Sequence, residues 1–547
     1  MEISKRVWRV LIIGMAAFTA LPIIAVFSYV FVPAPEVWAH LVDTVLADYI
    51  QNTLGLMLGV SVGVLLIGIP AAWLTSMCRF RGQRFFEWAL LLPLAMPAYI
   101  IAYTYTGMLD FAGPVQTLLR SVMGWGYGDY WFPNIRSLGG AIVMLSLVLF
   151  PYVYLLARAA FLEQSICVLE VSRTLGANRW QSFFRVALPL ARPAVITGLS
   201  LALMETLADF GTVQYFGVTT FTTGIFRTWF GLGDHAAASQ LAALLMTLVL
   251  VLLLLEQWSR KRARYHHTSS KYSTIPKYTL KGWAAFFAFL VCVLPLLLGF
   301  VIPVAQLIYW GLQTAHTTLD SSFWELVQHS LMLAGLAALS ALVLALILGY
   351  GKRLNPDPVV KTATRIAALG YAIPGTVIAI GVLIPLAWLD TQLNLLTKQI
   401  WGISVGLIFS GSLLTLLYAY NVRFLAVSLQ TVEAGLGKIK PTLDNAGRSL
   451  GLSSLGVLQR LHLPLMKGTL LTALLLVFVD VLKELPATLI LRPFNFNTLA
   501  VRAYELASDE RLAEAGLPAL MIVAVGILPV ILLSRSIATS RAGTQPS

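Results

Sequence analysis

A polar stretch occurs twice in this otherwise strongly apolar chain, and the two copies lie 275 residues apart. The first runs Glu170-Val171-Ser172-Arg173-Thr174-Leu175-Gly176, then nine residues, then Val186-Ala187-Leu188-Pro189. The second runs from Asn445 through Arg448, Leu450 and Gly451, then nine residues, to Leu461-His462-Leu463-Pro464. An offset of about half the chain means that any fold must house two equivalent halves. Locally, each glycine is placed to end a short helix and each proline to open the next, which makes a compact elbow.

The residues around these elbows exclude a water-soluble globule. Hydrophobic residues make up 58% of the 547 and charged residues 12%, with a mean hydropathy of +0.80, so the chain is an integral membrane protein. The net charge of +13 does not point to nucleic acid, because the basic residues are scattered over short loops between apolar runs. Cys78, Cys167 and Cys292 are far apart in sequence and suggest small apolar fillers rather than a disulfide or metal site.

Apolar runs long enough to cross a bilayer lie near 11–31, 52–78, 86–109, 138–162, 187–209 and 238–256. In the second half they lie near 283–311, 327–350, 364–388, 401–426, 468–490 and 516–534. The expected architecture is therefore an all-α membrane protein of about twelve transmembrane helices in two parallel six-helix repeats, 1–258 and 282–547. A basic cytoplasmic linker, 259–281, joins them, and its adjacent His266 and His267 read as solvated linker rather than as a metal site. With both termini placed in the cytoplasm, most of the 38 Lys and Arg fall in loops on that side, and both elbows face it too.

The duplication reaches past the elbows. At the same offset Phe221 matches Phe496, Thr223 matches Thr498, Arg227 matches Arg502 and Asp234 matches Asp509, while Ala95-Met96-Pro97 recurs as Ala372-Ile373-Pro374. Two acidic pairs are also related by 275: Glu205 with Asp209, and Asp480 with Glu484. Their i, i+4 spacing places both acids of a pair on one helix face. Sixteen residues beyond the elbow proline, at about 1.5 Å each, puts them roughly 24 Å into a core about 30 Å thick. Carboxylates at that depth are costly unless they meet water, a cation or one another, and their oxygens suit hard cations. The expectation is a ring of four acids lining or guarding a path; the plainer alternative is a salt-bridged gate in which Lys483 neutralises an acid. Tyr99, Tyr103 and Tyr105 could offer phenolate oxygens but read better as interfacial anchors.

The doubled elbow resembles the cytoplasmic Glu-Ala-Ala loop of permease subunits of ATP-binding-cassette importers, in which Gly follows after three residues and Ile-x-Leu-Pro after nine more. The first copy keeps the acid at Glu170. The second has Asn445-Ala446-Gly447 at the lead positions, with Asp444 one residue early. The resemblance implies a type I importer fold and a transporter subunit rather than an enzyme. It also implies docking of two copies of a cytoplasmic ATPase on Glu170, Arg173, Gly176 and Pro189 and on Asn445, Arg448, Gly451 and Pro464. No Gly-x-x-x-x-Gly-Lys-Ser/Thr phosphate loop is present in the sequence, so ATP and magnesium belong to that partner, and the chain itself carries no cofactor.

The stretches 208–225 and 483–496 are similar to the ferric-iron permeases of bacterial iron(III) import systems. That similarity implies Fe(III) as substrate, a periplasmic iron-binding protein as partner, the bacterial inner membrane as location and alternating access as mechanism. Fused permeases for thiamine have a similar layout and polyamine permeases share the elbow, so a thiamine or polyamine permease is an alternative. An ion-coupled secondary transporter, with the acids binding protons or sodium, is the alternative of another class.

Overall fold

A computed structural model describes residues 2–126, 128–163, 179–262 and 277–539. Among these, ten helices are long and apolar enough to cross a membrane, and up to twelve spans result if two sharply bent helix pairs each count as one. In the first half the main helices are α1 (Glu2–Ser28), α2 (Leu46–Met77), α3 (Gln83–Ala89), α4 (Ala98–Leu109), α5 (Leu138–Glu163), α6 (Leu188–Ala208), α7 (Gly211–Tyr215), α8 (Phe221–Phe226) and α9 (His235–Arg262). The second half holds α10 (Trp283–Leu296), α11 (Ile302–Thr318), α12 (Ser321–Leu354), α13 (Pro358–Ala367), α14 (Gly375–Trp401) and α15 (Leu413–Gly437). It continues through α16 (Pro441–Ser449), α17 (Ser454–Val457), α18 (Lys467–Leu482), α19 (Pro486–Leu491), α20 (Leu499–Ser508) and α21 (Leu512–Thr539).

The repeat is visible element by element. Five-residue π-helical insertions occupy Phe183–Ala187 and Leu458–His462, again 275 apart, each just before the elbow proline. The run read as one span at 86–109 breaks at Met96-Pro97, where the flanking helical segments meet at 90°. Its counterpart breaks at Ile373-Pro374. Proline disfavours helical backbone in the residue before it, and both Met96 (φ −93°, ψ 111°) and Ile373 (φ −84°, ψ 121°) are extended.

Past the acidic pairs the structural register slips. Phe221 N–H donates to Thr53 Oγ1 at 3.4 Å, and Leu499 N–H donates to Ser330 Oγ at 2.8 Å. These are the same helix-start contact in each repeat, so Phe221 corresponds to Leu499 and not to Phe496. The second repeat has the longer connection here, α19 having six residues where α7 has five.

The chain packs as two compact units that do not coincide with its sequence halves. One comprises 1–39, 225–244 and 316–505; the other comprises 40–224, 245–315 and 506–547. Within the first unit α1 packs on α13 and α14, and within the second α10 packs on α2 and α3 while α21 packs on α4 and the turn Leu92–Ala95. The leading helix of each half thus packs with the other half's helices. The described end of the linker is anchored: Tyr278–Thr279 pairs in parallel with Cys78–Arg79, and Lys277 lies 3.6 Å from Glu87.

Candidate functional site: an elbow and two capped breaks

The second elbow is described in full, and its geometry follows from its residues. Pro441 opens α16 in the first turn, where its missing N–H costs nothing. The helix ends in a Schellman motif: Leu452 N–H donates to Gly447 O at 3.1 Å and Gly451 N–H to Arg448 O at 3.0 Å. Gly451 has φ +86°, which only glycine adopts without strain. Ser453 then caps α17 by accepting from Gly456 N–H at 3.1 Å. A Cβ on Gly447 would come 2.8 Å from Leu461 Cδ1 and 3.2 Å from Val457, so a bulky third lead residue would push against the second arm of the elbow. Arg448 is exposed, as are Leu443, Leu450 and Leu455. Pro464 is exposed at the far end. The elbow therefore offers a partner the guanidiniums of Arg448 and Arg460 beside exposed apolar side chains.

Asp444, the acid that stands one residue early in the motif, points inward and is buried. It accepts from Arg353 Nε at 2.8 Å and Nη2 at 3.2 Å, and its Oδ1 lies 2.7 Å from His462 Nε2. Burial opposes its ionisation, but the hydrogen bonds from Arg353 and His462 hold its carboxyl below the ordinary carboxylate value. Arg353 also donates to the carbonyls of Leu436 and, at 2.8 Å, Ile439. In the first elbow Glu170, Arg173 and Gly176 lie outside the described residues. Pro189 stands in the first turn of α6 and is exposed.

The acidic pairs do not form the continuous i, i+4 faces expected from spacing. α6 ends at Ala208 and α18 at Leu482, so Asp209 and Glu484 lie beyond the helix that carries their partners. The physical reason is capping, since each carboxylate takes the free N–H groups of the short helix that follows. Asp209 accepts from Thr212 Oγ1 at 2.9 Å and Val213 N–H at 3.1 Å. Glu484 accepts from Ala487 N–H at 2.9 Å, Thr488 N–H at 3.0 Å and Thr488 Oγ1 at 2.6 Å, and also from Arg423 Nη1 at 2.9 Å. Asp480 pairs with Lys483 at 2.9 Å, and Glu205 is half-buried. Among the described residues no three His, Cys, Asp or Glu side chains gather as a metal cage. Tyr105 donates to Leu298 O at 2.7 Å, and Tyr99 and Tyr103 are buried within the bundle rather than placed at a surface.

Motif spacing alone does not identify Arg353, Arg423 or His462 as partners of these acids. The signal available was basic side chains, Arg353 and Arg423, at or inside apolar runs, where a buried anion is the expected companion.

Helices of this length, duplicated about two elbows with helices broken at matching points, define a multi-pass permease built from two repeats. A family model for the binding-protein-dependent transport system inner membrane component matches residues 2–265. The chain is 28% identical over 530 residues to the Fe(3+)-transport system permease protein FbpB 2 of Haemophilus influenzae, covering 94% of this chain and 96% of that protein. It is 24% identical over 521 residues to the ferric transport system permease protein FbpB of Actinobacillus pleuropneumoniae, covering 89% and 71% respectively. To the molybdenum transport system permease protein ModB of Azotobacter vinelandii it is 30% identical over 168 residues, 31% of this chain and 71% of that one. The chain belongs to the binding-protein-dependent transport system inner membrane component family, and it is a multi-pass inner-membrane protein.

Proposed function

We propose that this chain is the permease of an ATP-driven importer of ferric iron. The observation that carries this reading is the near end-to-end likeness to a ferric permease, 94% of one chain against 96% of the other. In this reading a periplasmic binding protein delivers Fe(III), and two copies of a cytoplasmic ATPase supply ATP hydrolysis with its magnesium. The ATPases grip the elbows at Glu170, Arg173, Gly176 and Pro189 and at Asn445, Arg448, Gly451 and Pro464, with both chain termini on the cytoplasmic side.

Closure of the ATPase pair draws the elbows inward and the repeats alternate between outward-open and inward-open states. Glu205, Asp209, Asp480 and Glu484 line or guard the path. Two of the four have their oxygens engaged by helix-start donors, and a third by Lys483. That supports a gating part for Asp209, Asp480 and Glu484, with Glu205 beside Asp209 on the same path.

The test is uptake of radioactive iron into proteoliposomes carrying this chain and its ATPase, with ATP inside and iron-loaded binding protein outside. Uptake that needs all three components supports the reading. ATP hydrolysis stimulated by a binding protein for thiamine or a polyamine, with no movement of iron, would transfer it to another cargo.

A further inference from the structure

The two elbows join the membrane helices differently. After the first elbow, Phe183–Ala208 runs as one unbroken span through its π insertion. A continuous helix carries a push along its length. After the second elbow, Ser454–Leu465 and Lys467–Leu482 meet at a bend of 80° around Met466, and a hinged rod does not transmit a push.

At that joint the chain places a side-chain network two of whose members have no like residue at the 275 offset in the first repeat. His462 corresponds by offset to Ala187, and Asp444 to Leu169. Asp444 sits in α16 on the elbow's first arm, and His462, fully buried, in the π turn of its second arm; Arg353 sits in the last turn of α12. The 2.7 and 2.8 Å contacts to Asp444 therefore tie both arms to a membrane-crossing helix. Arg353 extends the tie to the end of α15 through Leu436 O and Ile439 O. Tyr350, one turn earlier in α12, stacks edge-on to His462 at 5.3 Å and donates to Ser454 O at 2.6 Å. A largely buried network of this kind favours one geometry, because a displaced member leaves a buried charge or polar group unpaired.

We propose that Arg353, Asp444 and His462 are positioning residues that brace the bent second elbow against α12 and α15, so that elbow movement reaches the membrane helices there by a side-chain strut and not by helix continuity. The functional half of this inference rests on the elbows being ATPase-docking sites; the brace itself does not.

Two measurements on the full chain separate these parts. Spin labels at the exposed positions Leu450 and Leu471, on either side of the bend, report the elbow's angle without ATPase or cargo. The expected result is a narrow distance distribution in the parent. Asp444→Asn and His462→Ala should broaden it at least two-fold, and His462→Gln, which keeps an N–H toward Asp444, should restore it. With the ATPase bound in proteoliposomes, Asp444→Asn and His462→Ala should keep ATP hydrolysis within two-fold but lower iron moved per ATP at least ten-fold.

Unchanged distributions in both variants overturn the brace. Hydrolysis and uptake falling in parallel, with iron per ATP constant, overturn its coupling role. If Asp444→Asn does not fold, the His462→Ala and His462→Gln pair decides alone. If the parent moves no iron, the proposed function fails while the spin-label result still judges the brace.

Discussion

Arg423 donates to Glu484 at 2.9 Å in a pair whose side chains are 10% and 2% exposed, and the same carboxylate holds the first free N–H groups of α19. One acid therefore fixes the direction of the chain after α18 and is, among the described residues, the ion-pair partner of a guanidinium deep in α15. Removing one member of a buried pair strands the other. Arg423→Ala is expected to lower stability by about 3–5 kcal/mol, read as a fall in melting temperature of the detergent-solubilised protein. Arg423→Met combined with Glu484→Gln removes both charges and should recover most of that loss.

Gly451 is held at φ +86° by the Schellman motif that ends α16. Gly451→Ala should cost about 1 kcal/mol, too little to unfold the chain but placed in the proposed docking elbow. The expected outcome is a modest melting shift with a larger loss of co-purified ATPase. Gly447→Val, driven into Leu461, should open the elbow and abolish co-purification.

Asp209 and Glu205 belong to one pair, of which Asp209 caps the helix that follows. Asp209→Ala removes the acceptor for Val213 N–H and Thr212 Oγ1, and loss of such a cap costs about 1 kcal/mol. It should lower melting temperature and transport together. Glu205→Gln should lower iron uptake at least several-fold, and uptake equal to that of the parent would remove Glu205 from the path.

Asp444 gives the elbow a defined response to acid. Its carboxyl titrates below the ordinary value of 3.8 in the folded chain, because the donors from Arg353 and His462 outweigh burial. A depressed folded value means a stabilisation that is fully present above the unfolded value and lost as pH falls through the folded one. The melting advantage of the parent over Asp444→Asn should be constant above about pH 4 and shrink below it.

Much of this architecture was legible in the sequence. Apolar runs reported spans, Ala95-Met96-Pro97 and Ala372-Ile373-Pro374 marked the same break in each repeat, and the elbow spacing anticipated the helix–Gly–helix turn around Gly451. Hydropathy could not report the 90° bend at Met96-Pro97, because both sides of a bend are equally apolar. It could not report the packing of α1 on α13 and α14 either, since a lipid-compatible face fits many neighbours. The i, i+4 spacing of Glu205 and Asp209 suggested a shared face, yet Asp209 gains more from free N–H groups than from continuing the helix. The Asp444 network escaped notice because its members are 91 and 18 residues apart in sequence, and nothing local joins them.

In the proposed function this chain moves ferric iron using ATP hydrolysed by a partner docked at its elbows. The most direct measurement is radioactive iron accumulation in proteoliposomes containing the chain and its ATPase, with loaded binding protein outside and ATP inside. Accumulation that stops when ATP, binding protein or ATPase is withheld is the predicted result. Accumulation that continues without ATP and collapses with the proton gradient would contradict the account and return the chain to the ion-coupled class.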